Sequence, residues 1–223
     1  MSEEDREALP PGFAQQLRDG QPVDAGTLRD VARFRRAERK RFLDLRRALS
    51  VEEAQRQTER IALALDDLLD DVSGRIVSVY WPIRGEPDLR AWMARLCGRG
   101  ARVALPVVVA REAPLVFRAW EPGVAMERGI WNIPVPAGTE ALVPEVVIAP
   151  VVALDEAGFR LGNGGGYYDR TLATFDPLPA RIGVGHEAAR MKTIFPMPWD
   201  VPMQAGIFGD GSLAGSADLS FPR

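Results

Sequence analysis

From residue 75 to residue 208 the chain alternates short β-branched runs with helical periods or long connections, and no other feature restricts its fold so strongly. The runs are 75–81, 102–109, 115–120, 145–154, 181–185 and 203–208. After the first, Pro87 opens a helix that carries Leu89, Trp92, Met93 and Leu96 and closes at Gly98. Strands separated by helices or long crossovers predict a mostly parallel sheet with helices on both faces, a three-layer α/β fold. Ligands on such sheets bind beyond the carboxyl ends of the strands.

Ahead of the alternation lie two helical stretches. Leu28, Val31 and Phe34, then Phe42, Leu45 and Leu49, recur about one turn apart. Ser50 with Glu53 reads as a capping box that starts a second helix, which runs through Ile61, Leu65 and Leu68 and stops near Gly74. Residues 1–26, with Pro10, Pro11, Gly12, Gly20 and Pro22 among charges, read as a mobile extension with at most one short helix around Phe13 to Leu17. The expected organisation is therefore an extension (1–26), one α/β domain (27–210) and a flexible tail (211–223). A formal charge of only −3 gives no basic field for nucleic acid. The longest apolar run, 146–154, is too short to span a bilayer, and the acidic N-terminus lacks the regions of a signal peptide. The single Cys97, in a helical pattern, reads as an inert thiol. The expectation is a cytoplasmic protein with neither a membrane nor a nucleic-acid partner.

The chemistry points to residues 161–170, LGNGGGYYDR, where Gly162, Gly164, Gly165 and Gly166 precede Tyr167, Tyr168 and Asp169. A glycine run lets several backbone N–H groups converge on an anion, and the helix start behind it adds more donors. The run matches neither the dinucleotide-binding nor the P-loop pattern. A Gly-rich turn is the plain alternative, but a carboxylate beside bound phosphate needs an intervening cation, so Asp169 suggests a magnesium nucleotide. On the basic first helix, Arg35 and Arg39 share one face and could grip consecutive phosphates, while the other arginines read as solvated. Two more segments fall near expected strand ends: residues 80–88 with Trp81 and Glu86, and residues 127–136 with Trp131. Aromatic walls and one carboxylate suit a flat heterocycle bearing N–H donors. Each also has an ordinary reading, the tryptophans as core and Glu86 as a helix-start acid. Asp200 reads either as part of a surface turn or as a second oxygen ligand beside Asp169.

With these residues laid out, the chain resembles the 5-formyltetrahydrofolate cyclo-ligases, also called methenyltetrahydrofolate synthetases. The likeness runs from about Arg35 to Phe208 and is carried by GFRLGNGGGYYDR (158–170), WNIPVP (131–136), the Glu86 turn, the basic helix leading into RRALSVEE, and Trp199 with Asp200. It implies a fold like the ribose-phosphate isomerase and CoA-transferase group, and an ATP- and Mg2+-dependent cyclisation of 5-formyltetrahydrofolate to 5,10-methenyltetrahydrofolate through a phosphorylated formyl group. Carried over by position, Arg35, Arg39, Arg160, Leu161, Gly162, Asn163, Gly164, Gly165, Gly166, Tyr167 and Tyr168 would hold ATP. Asp169 and Asp200 would hold Mg2+, and Trp81, Glu86, Trp131 and Tyr168 would line the folate pocket. Arg35 stands where the family often has lysine, and Gly165 where some members have lysine. No general base stands out, and a monomer is expected. One alternative is a degenerate paralogue that binds a folate or another phosphorylated ligand. Another is an isomerase or transferase relative that needs no ATP. On the resemblance, Asp169→Ala should cut turnover at little cost in stability.

Overall fold

A computed structural model describes residues 17–18, 21–217 and 219. The short helix expected near Phe13, and most of the expected extension, lie outside those residues. Within it, β1 (Leu17–Arg18) pairs antiparallel with β2 (Gln21–Pro22). Helix α1 (Ala25–Arg47) starts where the Asp24 carboxylate accepts from the amides of Gly26 and Thr27. Helix α2 (Val51–Leu68) is capped by Ser50, whose Oγ accepts from the Glu53 amide at 3.1 Å. The reciprocal half of the expected capping box is absent from the contacts Glu53 makes, because its carboxylate turns to Arg56 and Gln57.

Five strands run parallel at the centre: β3 (Ile76–Ser78), β4 (Arg102–Val107), β9 (Val146–Pro150), β12 (Ala180–Gly185) and β14 (Ala205–Phe208), in the spatial order β14-β12-β9-β3-β4. Helix α3 (Arg90–Gly98) makes the crossover from β3 to β4. The antiparallel members sit towards the edges. β5 (Val116–Trp120) returns beside β4 and carries β8 (Ala141–Leu142), while β15 (Leu213–Gly215) returns beside β14. Their connections hold no crossover helix, so the chain can only double back. The β14–β15 pairing also corrects the expected domain limit at residue 210, since the sheet continues into the segment read as tail.

Alternation along β9 builds the layers. Val146 and Ile148 face a core with Ile61 and Leu65 of α2 and Trp92 and Leu96 of α3. Val147 and Ala149 face a second core with Phe117, Leu154 and Leu172. Complete burial of each such Leu or Ile contributes about 1.5–3 kcal/mol, and Ile61, Leu65 and Leu96 are all fully buried.

The run expected to be one strand over 145–154 is two. After Pro150 the Val151 amide still bonds Val184 of the central sheet, but the Val152 amide bonds Leu161. The chain thereby crosses into a three-stranded sheet of β11 (Arg160–Leu161), β10 (Ala153–Asp155) and β13 (Arg190–Met191). The segment 127–136 lies in a separate hairpin, β6 (Met126–Arg128) and β7 (Pro134–Pro136), with a 3-10 turn between them that presents Trp131.

Candidate active site

The glycine loop leaves β11, part of the small sheet, and ends in α4 (Tyr167–Leu172). Among the described residues, the amides of residues 163–166 donate to no protein group. Gly164 shows why the run needs glycine: its φ is +104°, and a Cβ there would lie 3.5 Å from the Arg39 guanidinium. Arg39 reaches the loop and donates from Nε to the Gly162 carbonyl at 2.8 Å. Arg35, one turn earlier, turns elsewhere. It donates to the carbonyls of Ile194 and Phe195 and takes both oxygens of Asp200 in a two-pronged ion pair of 2.5 and 3.1 Å.

A second ion pair lies beneath the loop. Arg160 Nη2 donates to Asp169 Oδ2 at 2.8 Å, with the two side chains 6% and 14% exposed. Among the described residues, Asp169 Oδ1 accepts only a long bond of 3.3 Å from the Val201 amide. Burial holds the Asp169 carboxyl above the usual carboxylate range, against the pull of Arg160 and with the added push of nearby Asp200. The two aspartates named from sequence are therefore neighbours, and each already faces a guanidinium. That pairing alters the expected stability of Asp169→Ala, because a buried arginine would lose its counter-charge.

Glu86 follows β3 in a tight turn and is 7% exposed. Its Oε2 accepts from the Ile83 amide at 3.0 Å, and its Oε1 accepts from Asn163 Nδ2 at 3.2 Å. Asn163 belongs to the glycine loop, so one side chain ties the carboxylate to the loop. Burial raises the Glu86 carboxyl above its ordinary value, and Arg46 pulls it back. The Tyr168 hydroxyl, buried and without a hydrogen-bond partner among the described residues, lies in electrostatic reach of Glu86, and its ring lies 5.0 Å from the Arg160 guanidinium.

The tryptophans divide. Trp81 is partly buried against the core below β3, with Arg90 over its ring. Trp131 is 56% exposed, has φ +56°, and meets the site through an edge contact with Tyr167 at 5.4 Å. Sequence reasoning passed over Arg46, which is buried and donates to the Val151 carbonyl at 2.7 Å. The signal was its spacing, since residues 35, 39 and 46 fall on one helical face. Arg170, also passed over, is buried beside the loop and directed towards the Gly165 carbonyl.

Residues 31–208 match the 5-formyltetrahydrofolate cyclo-ligase family. The chain belongs to that family. It is 37% identical over 164 residues to the 5-formyltetrahydrofolate cyclo-ligase of Mycolicibacterium smegmatis, covering 69% of this chain and 84% of that one. To the cyclo-ligase of Escherichia coli strain K12 it is 31% identical over 167 residues, 72% of this chain and 92% of that one. Among solved structures, the Aquifex aeolicus 5,10-methenyltetrahydrofolate synthetase superposes with a TM-score of 0.69 at 27% identity, covering 81% of this chain and 92% of that one. The Mycoplasma pneumoniae 5,10-methenyltetrahydrofolate synthetase, at TM-score 0.63, 23% identity and 76% and 94% coverage, shares the fold. The cyclo-ligase family places this chain among the ligases of folate metabolism, and among the described residues no helix is long and apolar enough to cross a membrane.

Proposed function

We propose that this chain closes 5-formyltetrahydrofolate to 5,10-methenyltetrahydrofolate using ATP. The observation that carries the reading is the bond from loop residue Asn163 to buried Glu86, which sets a phosphate cradle directly beside a carboxylate able to accept from a heterocycle's N–H groups. On this reading the free amides of residues 163–166, with Arg39 and Arg160, hold the triphosphate. Glu86 and the unpartnered Tyr168 hydroxyl meet the pterin, and Trp131 covers it from the β6–β7 hairpin.

The formyl group on the pterin nitrogen is an amide, and direct ring closure would have to expel hydroxide. Transfer of the γ-phosphoryl group to the formyl oxygen, releasing ADP, makes that oxygen part of a good leaving group. The neighbouring nitrogen then attacks the formyl carbon and gives up its proton, and inorganic phosphate departs. Arg39 and the loop amides neutralise charge on the transferring group and fix its line of approach.

Mg2+ fits one of its two expected ligands. Asp169 Oδ1 has spare acceptor capacity, whereas both Asp200 oxygens are taken by Arg35 and by the Met197 amide. Mg2+ commonly takes one or two carboxylates and fills its shell with phosphate oxygens and water, so Asp169 suffices as the protein ligand. When bound, the ion would neutralise phosphate charge beside Asp169. Arg35 then serves to position Asp200 and the 194–200 turn. The test is appearance of 5,10-methenyltetrahydrofolate absorbance from 5-formyltetrahydrofolate with and without MgATP. Product only with MgATP supports the reading, and no product with ATP still binding would shift it to a paralogue with another substrate.

A further inference from the structure

The turn that carries Glu86 is conformationally costly. Arg84 has φ +50° and Gly85 φ +74°, two successive left-handed residues, the first of them not glycine. Something outside the turn has to fix it. The Gly85 carbonyl points to Nε2 of His186 at 2.8 Å, and a Cβ on Gly85 would lie 3.5 Å from the Arg46 side chain on another side. His186 is the only histidine in the chain, follows β12, and is 4% exposed.

The His186 backbone is itself anchored from α2. Gln57 donates from Nε2 to Glu53 and accepts with Oε1 from the Glu187 amide at 3.1 Å, so its amide orientation is set at both ends. That same Oε1 stands 3.1 Å from His186 Nδ1. Both ring nitrogens thus face carbonyl oxygens, which can only accept, and a neutral ring can donate to one of them; the Gly85 contact is the shorter, and Gln57 Oε1 already accepts from the Glu187 amide, which favours the proton on Nε2.

We propose that His186 is a positioning residue: its Nε2–H holds the Gly85 carbonyl and thereby aims the Glu86 carboxylate across the gap bridged by Asn163. The proposal rests on the reading of Glu86 as the pterin carboxylate, but its first test does not. As the only histidine, its imidazole gives one unambiguous pair of 15N resonances in a long-range 1H–15N NMR titration of the protein alone. Nε2 stays protonated throughout and Nδ1 alone titrates; a neutral ring with its proton on Nδ1 overturns the proposal.

The second test uses two amides. The side-chain nitrogen of His186→Gln reaches about as far as Nε2, whereas that of His186→Asn stops near the position of Nδ1. His186→Asn is expected to raise KM for 5-formyltetrahydrofolate about tenfold, the effect of one lost buried hydrogen bond, with KM for ATP and kcat within about twofold. His186→Gln should stay within about twofold of the parent on all three. Equal losses in both variants, or KM for ATP rising with that for folate, overturn the proposal, because a merely structural histidine would act that way. If the parent protein shows no MgATP-dependent product, the cyclo-ligase reading fails, and the NMR result still decides the grip on Gly85.

Discussion

Asp169→Ala tests whether the Arg160–Asp169 pair supports the fold as well as the site. The substitution strands a guanidinium whose side chain is 6% exposed and whose Nε already lacks a partner among the described residues. Removing one member of a buried ion pair costs about 3–5 kcal/mol. Two features reduce that figure. The Tyr168 ring stays 5.0 Å from the Arg160 guanidinium, a contact worth about 1 kcal/mol, and the like-charge push from Asp200 disappears with the carboxylate. The expected loss is about 3 kcal/mol, which lowers the melting temperature of a domain this size by about 6–12 °C. Arg160→Met should cost a similar amount by stranding Asp169 beside Asp200, and the double variant should fall short of the summed losses by about 2 kcal/mol. Urea unfolding of the four proteins near neutral pH measures all of these terms. Additive losses, or an Asp169→Ala variant within about 0.5 kcal/mol of the parent, would refute the pair as a structural element.

Burial raises the Glu86 carboxyl in the folded chain, so between its unfolded and folded values the folded state binds more protons. That contribution is present at low pH and lost as pH rises through the folded value. The stability of the parent relative to Glu86→Gln should therefore grow on acidification, as read from urea midpoints at two pH values; a difference that shrinks is the contrary result. Arg39→Ala, which removes the contact at Gly162, should weaken ATP binding about tenfold or more in calorimetry with unfolding changed by less than about 1 kcal/mol. Trp131→Gly relieves a left-handed backbone at an exposed position, so it should be neutral or stabilising by about 1 kcal/mol while KM for the folate rises. A folate KM unchanged by Trp131→Gly would remove that side chain from the pocket.

What could be read in the sequence depended on whether the signal was local. The pleat of β9 is written in alternate residues, with Val146 and Ile148 on one core and Val147 and Ala149 on the other, so a sheet covered on both faces was legible. The transfer from β9 to β10 was not, because the apolar run continues unbroken through Val151 and Val152 while only their hydrogen-bond partners change. Helical spacing was enough to bring Arg39 to the loop, yet it could not tell that Arg35, on the same face, would meet Asp200 from 165 positions along the chain. Arg46 was lost among surface arginines because charge outweighed spacing in reading that helix. The two aspartates show the deeper reason that roles are harder to read than positions. A site able to hold a triphosphate gathers guanidinium groups under cover, and a covered guanidinium needs a counter-charge from the chain itself. Asp169 and Asp200 supply it to Arg160 and Arg35. The residue types that mark a magnesium nucleotide in sequence are thus the same types that let its cationic cradle fold, and only geometry distinguishes Asp169, whose Oδ1 carries a single long bond from the Val201 amide, from Asp200, whose two oxygens take three shorter ones.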